Sequence, residues 1–502
     1  MYYEVMPYTI ENLKNIVKKY TPINPQIIEN KYHFKSYFPE YLSYVQTKTI
    51  IVETKYIDRD FLEDYAGFYV RCFSPPSREC VRVHFFRESL SEEFEKSLTK
   101  ENSSILRKLK DAYLGFVVLK CLPETVIGRT CLCTYPKDNR RFYSAVREYE
   151  ANLFGIPLTV KTLAFQEQDR VAAACATSAL WSVFNGTGTL FQHPIPSPLE
   201  ITRSAIQDMP VMERMVPNDG LTLFHIANAI RHVGLEPLLF STRKANFMRR
   251  MVRAYVDFGI PLLLQLLVGS ELHAVAVTGY SLPHDGERDY LADSMDKIYV
   301  HDDQIGPFAR MTICEEKVVP FDTDEEEGIS LDSSWDESVV ALNLIIPVYH
   351  KIRIKHEHIF ALVKRFEYAL DSLELFDAGR LTWDIRLTSL DKLKGEILSA
   401  KKISDSCRKD LLVTPMPRFL WRATAYPRKK SIDLTNDMLL DFIFDATDIE
   451  QGRFFVLAIE YDPDISSACR KLAKEFQDKE EVVYDFKGII EWFQKTTGQS
   501  QT

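Results

Sequence analysis

Three stretches of this chain carry side chains that could act together. Cys175 stands in "AAACATSALW", His273 in "ELHAVAVTGY", and the acid pair Asp302 and Asp303 in "IYVHDDQIG". A thiol attacks as its thiolate, and the unpaired N–H groups at a helix N-terminus stabilise that form. A neighbouring histidine takes the thiol proton and later returns it to a leaving group. A carboxylate behind the histidine fixes its tautomer and orientation. Cysteine is also among the most buried residue types, and an alanine-rich helix start packs closely. The thiol of Cys175 therefore gains meaning only from its partners.

The elements that must position these groups can be read from pattern. Ala176, Ala179, Leu180, Val183 and Phe184 recur at helical spacing, with Asn185 and Gly186 as a stop, so Cys175 falls in the first turn of a helix. Helices are also predicted over "TLFHIANAIRHVG" and "NFMRRMVRAYVDFG", each closed by its glycine. Strands follow at "IPLLLQLLV", "HAVAVTGY" and "KIYVHDD". A hairpin of the last two returns the acid pair towards His273. Alternation puts Val300 and Asp302 on one face and His301 and Asp303 on the other, which leaves open which acid meets the histidine. Residues 322–337 are dense in acid and read as a mobile loop before the strand "SVVALNLIIPVY".

The order of helix-borne Cys, strand-borne His and strand-end Asp resembles the papain-like cysteine peptidases, and within them the bacterial branch of double-glycine leader peptidases. That branch has a Gln a few residues before a Cys-led helix, a "GHxVxVxGY"-like strand and a "VxDPxxG"-like strand end. The matching residues here are Gln168, Cys175, His273-Ala-Val-Ala-Val-Thr-Gly-Tyr and Val300-His-Asp302-Asp303-Gln-Ile-Gly306. The resemblance implies a Cys175–His273–Asp302 triad, with the Gln168 amide beside the backbone N–H of Cys175 as oxyanion donors. Ala176 replaces the family's Gly, Asp303 replaces its Pro, and Gln168 lies seven residues before the Cys rather than six. Gln166 and Asp303 therefore remain alternatives to Gln168 and Asp302.

The implied fold class is α+β: a papain-like core, with the Cys-bearing helix packed on an antiparallel sheet, between N- and C-terminal α/β accessory domains. The expected boundaries are 1–155, 156–350 and 351–502. In the first region "CVRVHFF" and "YLGFVVLKCL" read as strands, and residues 91–113 between them as one helix ending on Tyr113. The last region opens with the amphipathic "HIFALVKRFEYALDSL" and ends in a tail, "KTTGQSQT", expected to be disordered.

Bulk composition narrows the function. A net charge of -9 argues against a nucleic-acid or anionic-membrane binder. The most apolar stretch, residues 260–268, is too short to span a bilayer, and the N-terminus has no signal-peptide pattern. Nine cysteines without regular spacing fit a reducing cytoplasm better than a disulfide scaffold. No metal is expected: Cys131 and Cys133 lack a second pair, and His356 and His358 read as helix-start residues. No cofactor motif is present, since "NGTGTLF" follows a helix rather than a strand. The expected activity is hydrolysis of a peptide or isopeptide bond in a protein or peptide substrate. The alternatives are deamidation, acyl transfer on the same triad, or a catalytically inactive binding protein. The flanking regions are expected to recognise substrate or a dedicated partner.

Overall fold

The computed structural model describes residues 2–99, 103–136, 138, 140–169, 174–207, 220–242, 244–283, 287–321, 326–449, 454–476 and 484–497. The fold is mixed α+β with antiparallel sheets. The chain forms two compact units, one of residues 1–243, 259–279 and 297–347, the other of 244–258, 280–296 and 348–502.

The first unit holds two large sheets and a two-stranded one, Arg147–Leu153 with Ile156–Thr162. Strands Tyr3–Pro7, Thr49–Tyr56, Cys80–Phe86, Tyr113–Leu119 and Ile127–Leu132 form a five-stranded antiparallel sheet in chain order. Strand Cys80–Phe86 is buried along its whole length, as its run of β-branched and aromatic residues requires. Tyr113 begins a strand rather than ending a helix. The preceding helices are Ser91–Thr99 and Ser103–Ala112, and residues 100–102 of the expected single helix lie outside the described residues.

In the second sheet, strands Leu262–Val268, Glu271–Ser281, Lys297–Asp302, Gly306–Phe321, Glu326–Asp332 and Val339–Tyr349 run in order. The last pairs back onto the first, closing a six-stranded barrel. The expectation of a loop over 322–337 is corrected here. Glu326–Asp332 is a strand paired on both sides, because Ile329 and Leu331 alternate inward and carry it into the barrel despite its acids. Residues 322–325 lie outside the described residues.

The helix that opens at Cys175 runs to Phe191, past the expected stop at Asn185 and Gly186. The glycines serve packing rather than termination. A Cβ on Gly186 would stand 2.5 Å from Pro261 Cγ, and one on Gly188 2.7 Å from Ile195. Asn185 is held in the helix by donating to the Trp181 carbonyl at 2.9 Å and accepting from Arg147 at 2.7 Å. Trp181 is fully buried, with its indole N–H on Asp60 Oδ2 at 3.0 Å, so the N-terminal residues help anchor the Cys175 helix.

The second unit is built on the antiparallel sheet Leu381–Ser389, Phe419–Pro427, Leu440–Asp445 and Phe455–Glu460. The apolar stripe of helix His356–Ser372 is buried, and Trp383 and Trp421 fill its core. Buried charge is paired: Arg253 grips Asp384 through Nε at 3.0 Å and Nη2 at 2.8 Å. His358 Nδ1 accepts the N–H of Lys355 at the helix start, and buried His356 is driven down to about 3 by desolvation and by Arg250. The final helix reaches Thr497, so "KTT" of the expected tail is helical, and residues 498–502 lie outside the described residues. Among the described residues no helix is long and apolar enough to cross a membrane.

Candidate active site

Cys175 is the first residue of its helix, entered from extended Ala174 with no side-chain cap on the terminal N–H groups. Its side chain is half-buried and near enough to His273 to help raise the pKa of that imidazole. His273 lies near the start of strand Glu271–Ser281, opposite Leu266 of the neighbouring strand, and is buried. On its far side, His273 Nε2 stands 3.1 Å from Asp302 Oδ1. With Nε2 committed to the carboxylate, Nδ1 is the ring nitrogen left for the thiol.

Asp302 is fully buried and both of its oxygens are hydrogen-bonded. Oδ1 also accepts the backbone N–H of Gln304 at 3.0 Å, and Oδ2 accepts the indole N–H of Trp335 at 2.9 Å. Burial alone would raise its pKa, yet His273 and these donors hold it below the ordinary aspartate value. Burial likewise would strip His273 of its proton. The Asp302 charge and hydrogen bond, then Cys175 and Asp303, push it instead well above the usual histidine range.

Asp303 also reaches the histidine, with Oδ1 3.7 Å from His273 Nε2. Alternation predicts opposite faces for the two acids, but the strand ends at Asp302 after an irregularity beyond Val300, and Asp303 sits in the following turn. Gly306 closes that turn at φ +147°, and a Cβ there would stand 2.7 Å from the Tyr37 ring. Among the described residues neither Asp303 oxygen has a hydrogen-bond partner. Its pKa rises to about 7, first through burial, with His273 lowering it and Asp302 and Glu167 raising it.

Gln168 is positioned by pairing at the sheet edge. Phe165 and Thr130 exchange backbone hydrogen bonds, and Glu167 N–H continues onto the Ile127 carbonyl at 3.1 Å. Gln168 then lines a cleft of about 610 Å³ together with Asp303 and Gln304. Gln166 in this extended segment is buried, with its amide nitrogen unpartnered among the described residues. Residues 170–173, between Gln168 and the Cys175 helix, lie outside the described residues.

Three contributors had no weight in the sequence reading. Trp335 sets its ring at 68° to His273 with centroids 5.5 Å apart, as well as donating to Asp302. The signal for it was a lone tryptophan just after the alternating Ile329 and Leu331. His33 and Lys31 of the N-terminal region line the cleft beside Asp303, and no local pattern announces them.

His273, Asp302 and Asp303 offer ligand atoms within 4.8 Å of one another, a spacing that also suits a metal ion. In comparison with known proteins, no family model matches this chain and no curated protein matches it.

Proposed function

We propose that this chain is a papain-like thiol hydrolase that cleaves a peptide or isopeptide bond. The observation that carries the reading is His273, held by Asp302 at 3.1 Å and raised in pKa by the nearby thiol of Cys175, the first residue of a helix. A Cys-led helix, a histidine at the head of a barrel strand and an acid at the end of the next strand are the arrangement the sequence resemblance implies.

In this reading Cys175 Sγ attacks the carbonyl carbon and its proton passes to His273 Nδ1. The oxyanion forms against the N–H groups at the start of the helix, with the Gln168 amide as the second donor. His273 then protonates the departing amine, the C–N bond breaks, and Cys175 is left as a thioester. Water gives a proton to His273 as its oxygen attacks the thioester, releasing the acid and restoring the thiol. Asp302 keeps Nε2–H in place and balances the imidazolium.

A second reading is favoured by the donor spacing alone: a divalent cation on His273, Asp302 and Asp303. Its weakness is Asp302, whose two oxygens are already engaged by Trp335, Gln304 and His273. Turnover of a peptide library by the full-length chain, read by mass spectrometry with and without a chelator, tests both. The thiol reading expects products that vanish in Cys175→Ala and persist with chelator. Loss of products on chelation supports the metal instead.

A further inference from the structure

Two arginines meet over tyrosine rings on one face of the barrel. Arg310 pairs with Tyr299 across strands Lys297–Asp302 and Gly306–Phe321, and cross-strand partners share a face. Tyr135 follows strand Ile127–Leu132, Arg141 opens the short strand Arg141–Phe142, and Tyr44 ends helix Phe38–Tyr44. The Arg310 guanidinium stands 4.6 Å from the Tyr135 ring centroid and 6.0 Å from that of Tyr44. The Arg141 guanidinium stands 5.9 Å and 5.8 Å from the same two centroids. The rings themselves meet edge to face, 5.3 Å apart at 79°.

Two like charges held over the same rings repel, and little nearby offsets them. Arg141 donates from Nη1 to the Tyr44 hydroxyl at 2.9 Å and to the Pro136 carbonyl at 3.2 Å. Its Nε lies 3.6 Å from Asp138 Oδ2, an exposed carboxylate whose pull is weakened by solvent. Partial burial opposes the Arg310 charge, Tyr135 and Tyr299 favour it, and Arg141 opposes it. No carboxylate is among the partners of Arg310 within the described residues. The patch is open: Arg310 is exposed, Tyr44 is 45% exposed, and the Arg141 side chain keeps 21% of its surface. Tyr135 and Tyr299 are buried and form the floor on which the guanidiniums rest.

We propose that this patch binds a dianionic phosphate group, with Arg141 and Arg310 as its two cations and the exposed Tyr44 ring beside them. A guanidinium presents a planar fork of N–H donors that fits phosphate oxygens, and it stacks on aromatic rings at the same time. Two of them match two negative charges, whereas a monoanion leaves one uncompensated. The rings hold both guanidiniums before any ligand arrives, which lowers the ordering cost of binding. The site is independent of the thiol-hydrolase reading, since none of its residues belongs to the triad.

The test is a phosphorus NMR titration of the full-length chain with methyl phosphate and dimethyl phosphate. These probes differ by one methyl group, but at about pH 7.5 the first is mainly a dianion and the second a monoanion. Methyl phosphate should bind about tenfold or more tightly, the scale of a hydrogen bond between charged groups. Arg310→Gln, a substitution at an exposed position, should remove that preference. Equal affinity for the two probes in the wild-type chain overturns the site, and this comparison requires no variant to fold. A preference that survives in Arg310→Gln overturns it too. Acetyl-phosphoserine-amide and inorganic phosphate then separate the sources. Tighter binding of the phosphoserine probe assigns the site to a phosphorylated chain, and equal or tighter binding of inorganic phosphate assigns it to free phosphate.

Discussion

Trp335 donates its indole N–H to Asp302 Oδ2 at 2.9 Å, on the carboxylate whose other oxygen faces His273. The indole thus fixes the acid that fixes the base. Trp335→Phe keeps an aromatic ring over His273 but removes the donor, and a hydrogen bond to a charged group is worth about 1.5–3 kcal/mol. Turnover should fall about tenfold or more, with the pH profile displaced because Asp302 and His273 lose a shared support. Unchanged rate and pH profile in a folded Trp335→Phe would reduce the residue to packing.

Asp302→Asn should damage activity far more than Asp303→Asn. Asp302 is hydrogen-bonded to His273, the Gln304 N–H and the Trp335 indole, whereas the Asp303 carboxylate has no partner among the described residues and lies farther from the histidine. The expected loss is about a hundredfold or more for Asp302→Asn, by analogy with removing the orienting carboxylate of other triads. Steady-state kinetics on one substrate decides it, and the reverse ranking would move the orienting role to Asp303.

Asp303 should make stability pH-dependent in a definite direction. Its folded pKa of about 7 lies above the ordinary aspartate value, so between about pH 4 and 7 the folded state binds more protons than the unfolded one. Its stabilising contribution is complete at low pH and is lost as pH rises through about 7. Asp303→Asn should therefore gain stability relative to wild type on going from pH 5 to pH 8 in denaturant unfolding. A difference that does not change with pH, or that changes the other way, contradicts the burial of an unpaired carboxyl there.

Removing the N-terminal region should unfold the site rather than merely change specificity. Asp60 accepts from the Trp181 indole and pairs with Arg129, and Asp64 accepts the Leu199 N–H at 3.0 Å. Asp60→Ala leaves buried donors unpaired at a cost of about 1–3 kcal/mol. A fragment of residues 156–350 loses all of these supports together with His33 and Tyr37. It should be insoluble or melt without cooperativity, and a stable, labelling-competent fragment would show that the N-terminal packing is dispensable.

The parts of this site legible in the sequence were those with local periodicity. The helix at Cys175, the strand at His273 and the strand end at Asp302 follow from spacing and flanking residues. Asn185 and Gly186 misled because a glycine that ends a helix and one that admits Pro261 look alike in sequence. The acidic run hid a strand because its charge outweighed the alternation of Ile329 and Leu331. The placement of Asp303 depended on an irregularity that strict period-two reading does not foresee. His33 and Lys31 reach the cleft through long-range packing, for which sequence spacing carries no signal.

The central claim is that Cys175, His273 and Asp302 act as one unit, and site-resolved alkylation tests it most directly. Every cysteine is a free thiol, so limiting iodoacetamide offers each the same choice. Burial pushes the thiols of Cys80 and Cys131 up to about 12 and also raises exposed Cys407, to which Asp410 and Glu460 add. In the native full-length chain near neutral pH, Cys175 should label about tenfold or more faster than Cys407, and His273→Ala should erase that advantage. Labelling of Cys175 no faster than Cys407, or a fast rate that survives His273→Ala, would contradict the account.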